Sequence, residues 1–288
     1  MLNPTRVYML AADHRWQWEE WCDARAIPRD RITDAKRVAA DGFLSGRTES
    51  QAVRQFGALL LDEQYASAVI ADGLRAGIDV GTPAEQAGAF PLAWAADPFD
   101  RALTGTFVKV LIRHRPDHEP SVREDQLAKI ATLQAWCRQA NKPLVVEILV
   151  PRQGEPEATF EASGRPAIIA ALIRDAYARG LTPAFWKIEG TLARDGARII
   201  DAAIAERPAS RQIILGKAAD LATIRRWFEA AAESRTAVGF AIGRSVFWEA
   251  SAAFLGGMQT ADQAAAVICE NYLHLVDAWD AATAAQRT

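Results

Sequence analysis

The stretch Ala184-Phe185-Trp186-Lys187-Ile188-Glu189-Gly190, AFWKIEG, is a short apolar run with two charges set into it at alternate positions. Side chains in a strand point alternately to opposite faces, so Lys187 and Glu189 share one face while Trp186 and Ile188 share the other. A run that is apolar on one side and ionic on the other predicts a barrel strand. Its tryptophan meets the surrounding helices and its lysine faces the barrel interior.

Similar runs occur on both sides of it: VYMLAAD (7–13), FGALLLD (56–62), FVKVLIR (107–113), LVVEILV (144–150), RQIILGK (211–217) and VGFAIGR (238–244). Between them lie segments with helical spacing, such as 124–141, with its apolar residues at helical intervals, and 164–180, which begins beside a proline and ends at glycine. Strands alternating with helices indicate parallel βα units. Seven strands are clear, and an eighth is needed for closure, either around Ile78–Val80 or in PLAW at 91–94. The segment from Thr260, with Gln263 three residues on, carries a capping-box pattern and opens the closing helix. Loop 151–163 is polar and holds Gly and Pro; it reads as a solvated loop, with a lid as the other use. The expected fold is an α/β (β/α)8 TIM barrel, one domain over residues 1–288.

Half of the 288 residues are hydrophobic and 24% are charged, an ordinary globular balance. A net charge of −3 gives no cationic field for nucleic acid or acidic lipid, so small ligands are the expected partners. The most apolar later stretches fall short of the roughly 20 residues a membrane span requires. The N-terminal run reaches Asp13 and His14 too soon for a signal-peptide core. Cys22, Cys137 and Cys269 are odd in number and far apart, and read as free thiols in a reducing cytoplasm. Trp16, Trp18, Trp21 and Trp279 suit either core packing, the favoured use, or an interface in a homo-oligomer.

Strand parity places Lys109, Leu111 and Arg113 on one face of 107–113, and Val145, Glu147 and Leu149 on one face of 144–150. Lys109, Glu147 and Lys187 thus converge on the barrel interior from consecutive strands. Burial and a neighbouring cation lower a lysine's pKa and make the neutral amine nucleophilic; a nearby glutamate can then move protons. The alternative use of the same three residues is a structural ion-pair network. Asp13, on the inner face of the first strand, is either a site acid or a structural residue that caps the following helix or pairs with Arg15. Gly216-Lys217 and Gly243-Arg244, at the ends of the last two strands, match the place where barrels bind phosphate; the other use of these glycines is in tight turns. On the last strand, Gly239, Ala241 and Gly243 are expected inside and Val238, Phe240 and Ile242 outside. His114 and His118 stand four apart, but Pro116 between them breaks the geometry a metal pair needs, and no metal site is expected.

The segments DHR (13–15), VKVLIRHRPD (108–117), VVEIL (145–149), WKIEG (186–190) and GFAIGRSVFW (239–248) together resemble the aldolase-like domain fused behind a sugar kinase in bacterial myo-inositol catabolism. More distantly they resemble the class I tagatose-1,6-bisphosphate and sulfofructose-phosphate aldolases. The resemblance runs from about residue 7 to the C-terminus and covers none of the kinase. It implies a lyase that needs neither metal nor cofactor, with Lys187 as Schiff-base lysine, Glu147 as proton-transferring acid, Lys109 and Asp13 beside them, and Arg244 on a phosphate. Gly216-Lys217 departs from the small hydroxyl-containing pattern of the tagatose-bisphosphate enzymes. The implied substrate is a sugar phosphate, with 5-dehydro-2-deoxygluconate 6-phosphate, cleaved to dihydroxyacetone phosphate and malonate semialdehyde, as the specific expectation. A ketohexose bisphosphate or sulfo-sugar phosphate is the alternative, and His14, Arg15, Arg113 and Arg115 are the groups left to meet its far end. A non-catalytic sugar-phosphate sensor is the reading from another class; the presence of both Lys187 and Glu147 argues against it.

Overall fold

The computed structural model describes residues 2–95, 99 and 103–284. Eight parallel strands form a closed barrel in sequence order: β1 Val7–Ala11, β2 Gly57–Leu60, β3 Asp79–Pro83, β4 Phe107–Arg113, β5 Leu144–Leu149, β6 Phe185–Glu189, β7 Arg211–Leu215 and β8 Ala237–Ile242. β8 closes on β1, with Val7 opposite Gly239 and Leu10 opposite Ile242. The chain is a TIM barrel, as its alternating pattern predicts.

Helices surround the barrel. α1 (Trp16–Asp23), α2 (Ile32–Glu49) and α3 (Gln51–Phe56) follow β1, and α4 (Glu63–Arg75) follows β2. α5 (Pro120–Gln139) follows β4, starting at a proline whose missing N–H costs nothing in a first turn. The short α6 (Glu157–Thr159) runs through a π-turn at Phe160–Gly164 into α7 (Arg165–Ala178), so the latter half of loop 151–163 is helical. α8 (Arg194–Ala205), α9 (Leu221–Ala231), α10 (Arg244–Leu255) and α11 (Ala261–Thr283) complete the ring. Thr260 and Gln263 form the expected capping box. α11 lies along α2, and Tyr272 donates to the Tyr8 carbonyl at 2.7 Å, tying the last helix to the first strand.

The eighth strand is the one around Ile78–Val80; PLAW contributes only an isolated bridge from Trp94 to Glu85. Strand parity governs the two faces. Tyr8, Val110, Val146, Trp186 and Phe240 point outward into the core beneath the helices, and the Trp186 indole donates to the Tyr177 hydroxyl at 3.0 Å. Val7, Met9, Phe107, Val145, Phe185 and Ile213 point inward and fill the lower barrel with apolar side chains.

Val238 is a correction to the parity of the last strand: it packs inside with that inner cluster. Between Ala237 and Phe240, β8 uses one residue more than the facing stretch of β7, a bulge that resets the alternation. Gly239 occupies the irregularity at φ +151°, where a Cβ would lie 1.8 Å from the Val7 carbonyl oxygen. Beyond the bulge, Phe240 and Ile242 face outward and Ala241 inward, as expected.

Cys22, Cys137 and Cys269 are free and buried, in α1, α5 and α11. Trp18 stacks on Trp248 with ring centroids 4.0 Å apart, and Trp279 packs edge-on against Phe228, so both serve the core; Trp16 remains exposed. Among the described residues no helix is long and apolar enough to cross a membrane.

Candidate active site

The upper end of the barrel holds ions in place of the apolar filling below. β5 and β6 pair with Glu147 directly opposite Lys187, so two inward side chains stand side by side about one strand spacing apart, ~4.8 Å. Lys187 Nζ lies 3.0 Å from Glu147 Oε2. Lys109 is paired with Val145, one inward layer below Glu147, and reaches up to the same oxygen at 2.9 Å. Its ammonium also touches Asp13 Oδ2 at 2.9 Å and Glu85 Oε1 at 2.8 Å. Asp13 therefore belongs to the ionic cluster rather than capping a helix.

These contacts set the charge states. Burial alone would lower the Lys109 ammonium, but Asp13, Glu147 and Glu85 around it hold it well above the ordinary lysine value. Burial would raise Asp13, yet Lys109 and then Lys187 keep its carboxyl far below the usual range. Glu147 is lowered against its own burial by the same two lysines, Lys109 first. Lys109 thus remains a fixed cation between anionic partners, and Glu147 is an ionised acceptor in contact with Lys187.

A cavity of about 390 Å³ opens above this cluster. Its charged lining comprises Arg15, Lys109, Arg113, Lys187, Lys217 and Arg244 against Asp13, Glu85, Glu147 and Glu189, so cations exceed carboxylates. Gly243 caps α10, and a Cβ there would stand 1.9 Å from the Ala11 carbonyl oxygen; glycine lets the ends of β8 and β1 touch. Arg244 begins α10, where free amides and the helix dipole favour an anion. Among the described residues its buried Nε has no partner. Burial lowers the guanidinium from its ordinary value and Glu147 opposes the shift, yet an arginine so placed stays charged. Gly216 lines the same side, followed by Lys217 and Ala218 at φ +46° and +57°, a left-handed pair that turns the chain over the cavity. Lys217 Nζ lies 2.7 Å from Glu189, which also accepts from Arg165.

His14 lines the cavity beside Gly243, with a buried Nδ1 that has no partner among the described residues. Burial, opposed by Asp13 and aided by Arg244, brings its pKa down to about 3, so it is neutral at physiological pH. Arg15 faces Glu85 at 3.5 Å. Arg113 Nη1 donates to the carbonyls of Gly88 and Ala89, at 3.4 and 3.0 Å. Arg115 is a correction: Asp117 and Glu155 hold its guanidinium at 2.8 and 2.6 Å, and it does not line the cavity. His114 and His118 also lie outside the cavity, His118 against Phe90. Among the described residues no group of His, Cys, Asp or Glu is placed to hold a metal.

Two groups escape the sequence reading. Glu85 lies two residues beyond β3, whose short glycine- and proline-containing sequence DVGTP gives no alternation to assign it a face. Lys36, on α2, is buried with Asp62 at 2.6 Å and donates to the carbonyls of Ala12 and His14, bracing the turn that carries Asp13.

A parallel eightfold barrel with a buried lysine–carboxylate cluster at the upper ends of its strands defines the class: a TIM barrel with a concave, charged cavity at one end. The chain belongs to the family described as "Uncharacterized protein conserved in bacteria (DUF2090)", which matches residues 3–283. Its fold is similar to fructose-bisphosphate aldolase from Plasmodium falciparum, solved in complex with TRAP and a small molecule inhibitor, at TM-score 0.68 and 12% identity over 96% of this chain and 91% of that one. It is also similar to fructose-bisphosphate aldolase from Slackia heliotrinireducens DSM 20476, at TM-score 0.54 and 14% identity over 92% of this chain and 85% of that one. No curated protein matches by sequence.

Proposed function

We propose that the protein is a class I aldolase that cleaves a phosphorylated keto sugar or keto acid through a Schiff base on Lys187. The observation that carries this reading is the Lys187–Glu147–Lys109 contact: an inward lysine on one carboxylate oxygen that a second, fixed ammonium also holds. The fold likeness to two fructose-bisphosphate aldolases supports the same reaction class.

In this reading a proton passes from Lys187 to Glu147 across their 3.0 Å contact, and the free amine attacks the substrate ketone. Glu147 returns the proton to the carbinolamine hydroxyl, which leaves as water, and an iminium forms. The hydroxyl on the carbon being released then gives its proton back to Glu147. The electrons of the breaking C–C bond flow into the iminium, leaving an enamine on Lys187 and a free aldehyde. Protonation of the enamine carbon and addition of water release the ketone and restore the lysine. Lys109 and Asp13 fix Glu147 and the local charge, while Arg244, Gly243, Gly216 and Lys217 hold the phosphate. The preferred substrate is 5-dehydro-2-deoxygluconate 6-phosphate, giving dihydroxyacetone phosphate and malonate semialdehyde.

The test is borohydride reduction in the presence of dihydroxyacetone phosphate, followed by peptide mass spectrometry. An adduct on Lys187, lost in a folded Lys187→Ala variant, is expected. An active enzyme with no adduct on Lys187 would sink the Schiff-base mechanism.

A further inference from the structure

Of the cations that line the cavity, most already have an anion. Lys109 touches three carboxylates, Lys187 shares Glu147, Arg15 faces Glu85 and Lys217 rests on Glu189. Among the described residues two have none, Arg244 and Arg113. Arg244 follows β8 and Arg113 ends β4, and in a closed barrel of eight strands in sequence order these two stand diametrically opposite. A cavity carrying an uncompensated cation on each of two opposing walls is complementary to a ligand with an anion at each end.

The two ends differ in what they offer. Arg244 stands at the first turn of a twelve-residue helix, where the free amides and the helix dipole add to its own charge in a set suited to a phosphate dianion. Arg113 has no helix start beside it, since α5 begins seven residues later at Pro120. Its Nη1 is occupied by the Gly88 and Ala89 carbonyls, which fix the plane of the guanidinium. No described protein acceptor takes Nε or Nη2. That free edge presents two parallel N–H groups, the spacing of a carboxylate's two oxygens.

We propose that Arg113 is a specificity-determining residue that binds a terminal carboxylate on the substrate, at the end remote from the phosphate. Resting on the Schiff-base reading above, this makes the substrate a phosphorylated keto acid and disfavours a ketose bisphosphate. Glu85 contributes from the other side. By engaging Arg15 it leaves the β3–β4 wall with a single free cation, enough for a monoanion and too little for a second phosphate.

Three ligands separate the cases: 5-dehydro-2-deoxygluconate 6-phosphate ends in a carboxylate, fructose 1,6-bisphosphate in a phosphate and fructose 1-phosphate in a neutral hydroxyl. Their dissociation constants are measured by calorimetry on the Lys187→Ala variant, which holds ligand uncleaved, with and without Arg113→Gln. The carboxylate ligand is expected to bind tightest, and Arg113→Gln to weaken it about 10- to 100-fold while changing fructose 1-phosphate about twofold or less. Arg113→Lys should restore only part of the loss, because an ammonium lacks the two-pronged edge. The assignment is overturned if Arg113→Gln weakens all three ligands equally, if it weakens none, if the bisphosphate binds tightest, or if the carboxylate ligand does not bind. Borohydride trapping of the wild type with dihydroxyacetone phosphate, which has no second anion, is run alongside. Absence of that adduct counts against the Schiff base and leaves the calorimetric result to decide Arg113 by itself.

Discussion

Replacing Glu147 with glutamine separates the proposed proton shuttle from the architecture around it. The amide keeps the shape of the side chain and an oxygen for Lys187 and Lys109, which approach Glu147 Oε2 at 3.0 and 2.9 Å, but it cannot take up and return a proton. Lys109 keeps Asp13 at 2.9 Å and Glu85 at 2.8 Å, so its buried charge is not stranded, and folding should lose only about 1–3 kcal/mol. Loss of a positioned acid–base group costs about 10²–10⁴ in rate, or about 3–5 kcal/mol in barrier. The assay is the time course of borohydride-trappable adduct with dihydroxyacetone phosphate, quenched at successive times, beside a denaturant titration. Glu147→Gln should still label Lys187, slowly, whereas Lys187→Ala should never label. Labelling by Glu147→Gln within about threefold of the wild-type rate would refute the shuttle and leave Glu147 as a structural counter-ion.

Lys36→Met should cost about 3–5 kcal/mol in a denaturant titration, because it strands Asp62 in the core and frees the Ala12 and His14 carbonyls. Adding Asp62→Asn, which keeps the cap on Tyr65 and removes the stranded charge, should recover part of that loss; no recovery would mean that Lys36 acts through packing alone. His14 has a folded pKa of about 3, below its unfolded value of 6.5, so the unfolded chain gains the proton first as pH falls. Its contribution to stability is therefore complete above the unfolded value and is lost progressively towards about 3. Nitrogen NMR at about pH 5 should show a neutral His14 imidazole, and an imidazolium signal there would contradict the burial argument.

What was legible in the sequence was what depends on local alternation. The parity of AFWKIEG and LVVEILV placed Lys187 and Glu147 on the inner face, and register then set them side by side. Glu85 was not legible because β3 is short, carries glycine and proline, and offers no alternation to extend past its end. Val238 departs from simple alternation because one inserted residue in β8 reverses the parity before it, and a bulge depends on the neighbouring strand as much as on its own residues. The Lys36–Asp62 pair joins α2 to the start of α4 and leaves no local pattern in either segment. Arg113 and Arg115 look alike in the sequence; only the carboxylates at Asp117 and Glu155 separate them.

The seam where β8 meets β1 has a bearing on how the molecule comes into being. Asp13 and His14 follow the first strand and Arg244 follows the last, so residues from the two ends of the barrel's sequence share one cavity. Pairing Val7 with Gly239 requires the sequence of all eight strands to close on itself, among the slowest kinds of contact to form. Until it does, the cluster is not enclosed on the side of β1 and β8, and the proposed chemistry lacks the dry surroundings it needs. Activity should therefore appear on refolding as a late step, after helical signal has largely returned, and in step with the docking of Tyr272 on Tyr8.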